Sequence, residues 1–295
     1  MRLEFYLYAV STTKPYKLIE CPRDAMQGLS DFVPTELKVA YLNLLLEVGF
    51  DTLDFGSFVS PKAIPQMQDT AAVLSQLNIS EKTKLLAIVA NLRGVEEAVK
   101  YEEITYLGFP FSVSETFQQR NTNAFIQESL KTVEEMLELC RRNNKEAVIY
   151  LSMGFGNPYG DEWSQEIVSN WAKALSDRGA QILSLSDTVG IASPEQIEGL
   201  YRHLAEALPN TEIGLHLHST PASWEEKMEA AYRAGCRRVD GALKGFGGCP
   251  MAADDLTGNM PTEKMISFLE AKGEALDLNM DKWQEALAFS SKIFH

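Results

Sequence analysis

A single (β/α)8 barrel with a short N-terminal extension and an added C-terminal helix is the fold class that three observations in the sequence predict. Short apolar runs alternate with helix-period segments along most of the chain, which is the pattern of strands and crossover helices. The helix-to-strand junction recurs in one form: Gly49-Phe50-Asp51-Thr52-Leu53-Asp54, Gly179-Ala180-Gln181-Ile182-Leu183-Ser184 and Gly235-Cys236-Arg237-Arg238-Val239-Asp240. Each copy has a glycine that stops a helix, a few linking residues and then a strand. No Pro/Gly/Ser-rich linker or low-complexity tract divides the chain, so residues 1–295 are expected to form one domain.

Taken in order, the run Leu3 to Val10 is apolar but contains Glu4 and is too short to span a bilayer. It reads as an extra segment leading into the first strand, Leu18-Ile19-Glu20. A helix over 35–48 follows, with Leu37, Tyr41, Leu44 and Val48 on one face and Gly49 as its stop. Thr52-Leu53-Asp54 is the second strand, and residues 62–77 are expected to be helical. Leu85 to Val89 is the third strand, followed by a helix from about 94 to 101. Ile104 to Leu107 is the fourth, followed by a long polar loop and a helix over about 123–142. Ala147 to Leu151 and a helix over 164–178 come next, then Ile182 to Leu185. Ser193-Pro194-Glu195-Gln196 opens the next helix with a serine cap, a first-turn proline and a glutamine three residues on. The seventh strand is Thr211 to Leu217. A helix at 221–234, the strand Arg238-Val239-Asp240 and a C-terminal helix over 280–293 complete the chain.

Charge narrows the class of partner. Lys plus Arg number 27 against 41 Asp plus Glu, a formal net charge of -14, which argues against nucleic acid or an anionic membrane as the main partner. The four cysteines (Cys21, Cys140, Cys236, Cys249) show no CxxC spacing, so a reduced, cytoplasmic setting is expected.

In a barrel of this kind, functional groups gather at the carboxyl ends of the strands. Two of the four histidines, His216 and His218, lie there two residues apart. On a strand both rings project from one face and offer nitrogen to a single cation, or they are hydrogen-bonded histidines within a core. Asp24, after the first strand, could add a hard oxygen, and Asn259 an amide oxygen. That mixed set suits an octahedral Mg2+ or Mn2+ better than a closed structural zinc site. Arg23-Asp24 could equally be a surface charge pair. Arg23 carries a permanent charge that could stabilise an enolate or carboxylate oxygen. Cys249, in Gly247-Gly248-Cys249-Pro250, reads as a turn residue or as a proton carrier in a mobile loop. Asp187 could cap the turn after strand 6 or orient a ligand or base.

The segments Pro22-Arg23-Asp24-Ala25-Met26-Gln27, Ser57-Phe58-Val59-Ser60-Pro61-Lys62, Pro65-Gln66-Met67, Ser186-Asp187-Thr188-Val189-Gly190, His216-Leu217-His218 and Gly247-Gly248-Cys249-Pro250 occur in this order. Together they resemble the 3-hydroxy-3-methylglutaryl-CoA lyase family of metal-dependent aldolase-type TIM barrels, from about residue 17 to 290. The resemblance implies cleavage of 3-hydroxy-3-methylglutaryl-CoA to acetyl-CoA and acetoacetate. It implies that Asp24, His216, His218 and Asn259 hold Mg2+ or Mn2+, and that Arg23 stabilises the enolate. It further implies that Cys249 is a catalytic cysteine and that Asp187 and the strand-2 acid Asp54 take part in the chemistry. Glu263, Gln27 and Ser57 would support the site from behind. The partner would be a CoA thioester, and the assembly a homodimer or other homo-oligomer. No basic cluster marks a CoA pocket; Lys62 and Arg120 are the cations nearest to that role.

Several residues depart from the family pattern: Cys21 replaces a glycine, Ala25-Met26 a Gly-Leu pair, Asp54 a glutamate and Ser219 an aspartate. The loop from Cys249 to Asn259 is also one residue longer. A lyase for a different 3-hydroxyacyl-CoA, or a Claisen-type acyltransferase joining acetyl-CoA to a 2-oxo acid, are the alternatives.

Overall fold

Eight strands pair side by side and in parallel until the last meets the first, as the alternation of strands and helices predicts. The computed structural model describes residues 15–248 and 257–294. The strands are β1 (Lys17–Glu20), β2 (Thr52–Ser57), β3 (Lys84–Ile88), β4 (Ile104–Ser112), β5 (Glu146–Ser152), β6 (Ile182–Asp187), β7 (Glu212–Ser219) and β8 (Arg238–Gly241). Neighbours in sequence are neighbours in space, and β1 pairs with β8 to close the barrel. The N-terminal extension falls within residues 1–14 and lies outside the described residues, as does Cys249.

The helices are α1 (Pro22–Gln27), α2 (Thr35–Val48), α3 (Thr70–Leu74), α4 (Leu92–Ala98), α5 (Glu115–Thr122), α6 (Ile126–Arg142), α7 (Gln165–Ser176), α8 (Pro194–Ala207), α9 (Trp224–Ala234), α10 (Thr262–Ala271) and α11 (Met280–Phe289). A two-residue strand, β9 (Gly258–Asn259), pairs antiparallel with β7. The large core lies between strands and helices, where both faces of a parallel strand are covered and apolar runs are therefore nearly continuous. A smaller cluster of Leu86, Ile88, Tyr106, Val148, Tyr150 and Ile182 fills the barrel interior. Gly108 belongs to that layer: a Cβ there would sit 2.5 Å from Cδ1 of Ile88, so only glycine leaves space for its neighbours.

Four local expectations are corrected. Residues 62–77 are not one helix but a 3₁₀ turn (Pro65–Met67) followed by the short α3. Prolines 61 and 65 deny the backbone its helical donors, and Gln66 ties the turn down by accepting from Val33 N and donating to Asp31 O. β4 runs five residues past Leu107, because Gly108 and Pro110 disguise a strand that pairs through Ser112. The polar loop after β4 contains α5, capped by Ser114 and stopped by Asn123 at φ 54 before α6 begins. Helix α10 follows β9 in a stretch to which no element was assigned.

The added C-terminal helix is α11, shorter than expected and continued by a 3₁₀ turn. Asn279 N donates to Val48 O at the end of α2, and Trp283 packs edge-on against Phe50.

At the end of β1, paired with Gly241 of β8, Glu20 is wholly buried. It accepts from Leu243 N at 2.8 Å and from the Thr262 hydroxyl at 2.6 Å. Burial pushes its carboxyl pKa up to about 8 from 4.5. A raised folded-state pKa contributes stability that is complete below the unfolded value and is lost as pH rises toward about 8. Glu20→Gln is therefore expected to gain in Tm relative to the parent protein between pH 5 and pH 8; thermal melts across that range check it.

Candidate active site

The carboxyl ends of β1, β7 and β8 converge on one rim, and chain direction places the polar groups there. Pro22 starts α1 directly after β1 and Cys21, so Arg23 and Asp24 fall in its first turn over the barrel mouth. Both are nearly buried, at 8% and 7% exposure, so they are not a surface charge pair. His216 and His218 project from the same face of β7, with ring centroids 5.3 Å apart. One ligand atom from each of Asp24, His216 and His218 lies within 4.8 Å of the others, so these three side chains could hold one metal ion.

The surroundings turn both rings the same way. Nδ1 of His216 faces Asp240 Oδ2 at 3.1 Å, and Nδ1 of His218 faces Thr188 O at 2.9 Å. In both rings this leaves Nε2 for another partner, the arrangement usual for metal-bound histidine. Nε2 of His218 is buried and has no hydrogen-bond partner, which fits a cation at that position. Burial and neighbouring His216 push the His218 pKa down to about 4, keeping it neutral and able to ligate. Burial opposes charge on His216, but its hydrogen bond to Asp240 and that acid's charge outweigh it, and its pKa is raised. Burial works against the charge of Asp24 too; Arg23, the histidines and Asn259 overcome it and keep the carboxylate ionised.

Asn259 reaches the rim because β9 pairs with the end of β7, setting it opposite His218. Its Nδ2 donates to Asp24 Oδ2 at 2.7 Å and to Phe246 O at 2.9 Å, which leaves its amide oxygen as the acceptor. Ser219 is buried beside it, with Oγ 3.5 Å from Asn259 O.

Arg23 is locked from behind. Its Nε lies 3.2 and 3.0 Å from the two oxygens of Asp54, and Nη2 also binds Asp54. Nη1 donates to Asp24 at 2.9 Å and to Gln27 at 3.0 Å, and Gln27 Nε2 returns a bond to Asp24 at 2.7 Å. Burial lifts the Asp54 pKa to about 6 even though Arg23 opposes it.

Other residues singled out in the sequence stand further back. Both oxygens of Asp187 are engaged, by Ile191 N, Ala192 N and Lys227 Nζ. That geometry makes it an anchor for the turn carrying Thr188 O rather than an acid poised over the site. Lys227 also donates to Gly190 O and His218 O, so this ion pair clamps the end of β7. Ser57 Oγ accepts from Val59 N, and Glu263 accepts from Lys244 N; among the described contacts neither touches a member of the Asp24–His216–His218 group. Lys62 is exposed, and the Arg120 guanidinium lies 4.6 Å from the Tyr159 ring centroid.

Three supporting groups had no assigned role in the sequence reading. Asp240 could have been found from strand parity, since it pairs in register with His216. Thr188 acts through its carbonyl and carries no side-chain signal. Lys227 reads as an ordinary solvent-facing lysine on α9, yet its side chain is 3% exposed. Removing one partner of such a buried pair leaves a charge uncompensated. Lys227→Met is expected to cost about 3–5 kcal/mol, read from denaturant unfolding.

Comparison with known proteins agrees with the barrel fold. The HMGL-like family profile matches residues 18–289. The chain is 32% identical to the mitochondrial hydroxymethylglutaryl-CoA lyase of Bos taurus, over 96% of this chain and 89% of the relative. The crystal structure of the HMG-CoA lyase of Bacillus subtilis superposes with a TM-score of 0.88 at 31% identity, covering 95% of each chain. An HMG-CoA lyase of Acinetobacter baumannii, solved in complex with coenzyme A and 3-methylmalate, superposes with a TM-score of 0.87 at 28% identity, covering 95% of this chain and 92% of that one. With its closed parallel barrel and a profile match over most of its length, the chain belongs to the HMGL-like family.

Proposed function

We propose that the protein is a metal-dependent carbon–carbon lyase that cleaves 3-hydroxy-3-methylglutaryl-CoA to acetyl-CoA and acetoacetate. The observation that carries this reading is the Asp24–His216–His218 cluster, with both Nδ1 atoms engaged from behind and Arg23 fixed beside it. The relatives' names and the coenzyme A bound in one related structure support a CoA thioester as substrate.

Asp24, His216, His218 and the amide oxygen of Asn259 would hold the ion, and their hard oxygen and imidazole donors suit Mg2+ or Mn2+. Bound there, the ion supplies Lewis-acid polarisation of the substrate's 3-hydroxyl and carboxylate oxygens. Arg23 faces the negative charge that develops as the C2–C3 bond breaks. It has five N–H donors, and Asp54, Asp24 and Gln27 occupy four of them, leaving one on Nη2 for a substrate oxygen. Asp54 and Gln27 keep that donor from swinging away. Cys249 is the residue assigned to proton delivery at the enolate carbon. Asp187, Glu263 and Ser57 act through the backbone segments they hold.

The test is to incubate the purified protein, thiols reduced, with the thioester and Mg2+ or Mn2+ and to follow both products. Release of acetyl-CoA and acetoacetate that a chelator stops is the expected result. No turnover with either ion sinks the substrate assignment, and cleavage of another 3-hydroxyacyl-CoA in a parallel screen redirects it.

A further inference from the structure

A second cluster of ligand atoms lies beside the first and shares His216 with it. Cys21 directly follows β1, Asp240 sits on β8 and His216 on β7, three adjacent strands of the closed barrel. One ligand atom from each lies within 4.8 Å of the others. Cys21 is 1% exposed and Asp240 2%, so water competes poorly for either. A separate observation points to a ligand here. Asp240 gives Oδ2 to His216, but its Oδ1 is buried with no hydrogen-bond partner. A buried carboxylate oxygen left without a partner is costly, and a cation bound in this cluster would meet it.

We propose that Cys21, His216 and Asp240 form a second metal site, selective for a borderline-soft divalent ion such as Zn2+. Sulfur, imidazole nitrogen and carboxylate oxygen are the donors zinc takes, whereas Mg2+ refuses thiolate. On binding, the Cys21 S–H bond breaks, the S–metal bond forms and the proton leaves to solvent. The site stands on its own geometry. Its consequence rests on the lyase reading: because His216 is common to both clusters, zinc at Cys21 draws that ring from the Asp24–His218 ion and inhibits turnover.

The experiment uses Cys249→Ser protein, so that the loop thiol cannot supply a signal, with excess Mg2+ present. Titration with Co2+ is expected to produce a thiolate-to-cobalt charge-transfer band. Cys21→Ser in that background should lose the band and weaken zinc binding by on the order of 100-fold. His218→Ala should keep the band, which separates this site from the lyase reading. A sulfur shell in the zinc X-ray absorption spectrum of the Cys249→Ser protein provides a readout that leaves residue 21 intact. Absence of both band and sulfur shell, or a band that survives Cys21→Ser, overturns the site. Turnover is read with Cys249 intact: equal zinc inhibition of the parent protein and of Cys21→Ser overturns the coupling alone.

Discussion

Arg23→Met is expected to lower kcat by on the order of 10²–10³-fold, with a smaller change in KM, because the lost donor faces charge that appears only as the bond breaks. The guanidinium approaches along one path, held by both oxygens of Asp54 and by Gln27. Arg23→Lys should recover little of the loss, since an ammonium cannot span Asp54 and Asp24 together. The substitution also strips the partner from Asp54, which is 1% exposed. A fall in Tm should accompany the loss of rate, so activity is to be measured well below the new midpoint. Steady-state release of acetyl-CoA checks the rate, and Mn2+ binding followed by electron paramagnetic resonance checks that the ion is still held. An unchanged kcat in folded, metal-bound protein removes Arg23 from the chemistry.

His218→Ala is expected to weaken Mn2+ binding at least about 100-fold, the upper end of what supporting residues alone contribute in metal sites. The reasoning is geometric. Nε2 of His218 is buried, unpartnered and directed by the bond from Nδ1 to Thr188 O. Alanine here removes one donor and leaves Asp24, His216 and Asn259 in place. Titration followed by electron paramagnetic resonance reads the affinity directly, and saturating Mn2+ should restore part of the turnover. Affinity equal to that of the parent protein places the ion elsewhere.

The two predictions show how far the residues themselves carried the reading. The two-residue spacing of His216 and His218 is a strand's own period, so their common face was legible without a structure. So was the barrel, because eight alternations, glycine stops and a proline-started helix are all local signals. Where local signals conflict, the reading erred: Gly108 and Pro110 hide the second half of β4, and prolines 61 and 65 break what looks like one helix into a 3₁₀ turn and the short α3. For Asp187 a turn cap and a group orienting a ligand or base were both open, and the structure shows two backbone amides and Lys227 occupying it.

The sequence by itself determined the fold class, the donor types at the rim and their suitability for a hard cation, because periodicity and residue chemistry act over a few neighbours. Only the tertiary structure decided which nitrogen of each ring is left without a protein partner, that Asp240 backs His216, that Asn259 bonds Asp24 and that Cys21 lies beside His216 and Asp240. Those contacts join residues 24 to 235 positions apart, set by barrel closure and strand register. No local pattern encodes them, because each depends on where a distant strand comes to rest.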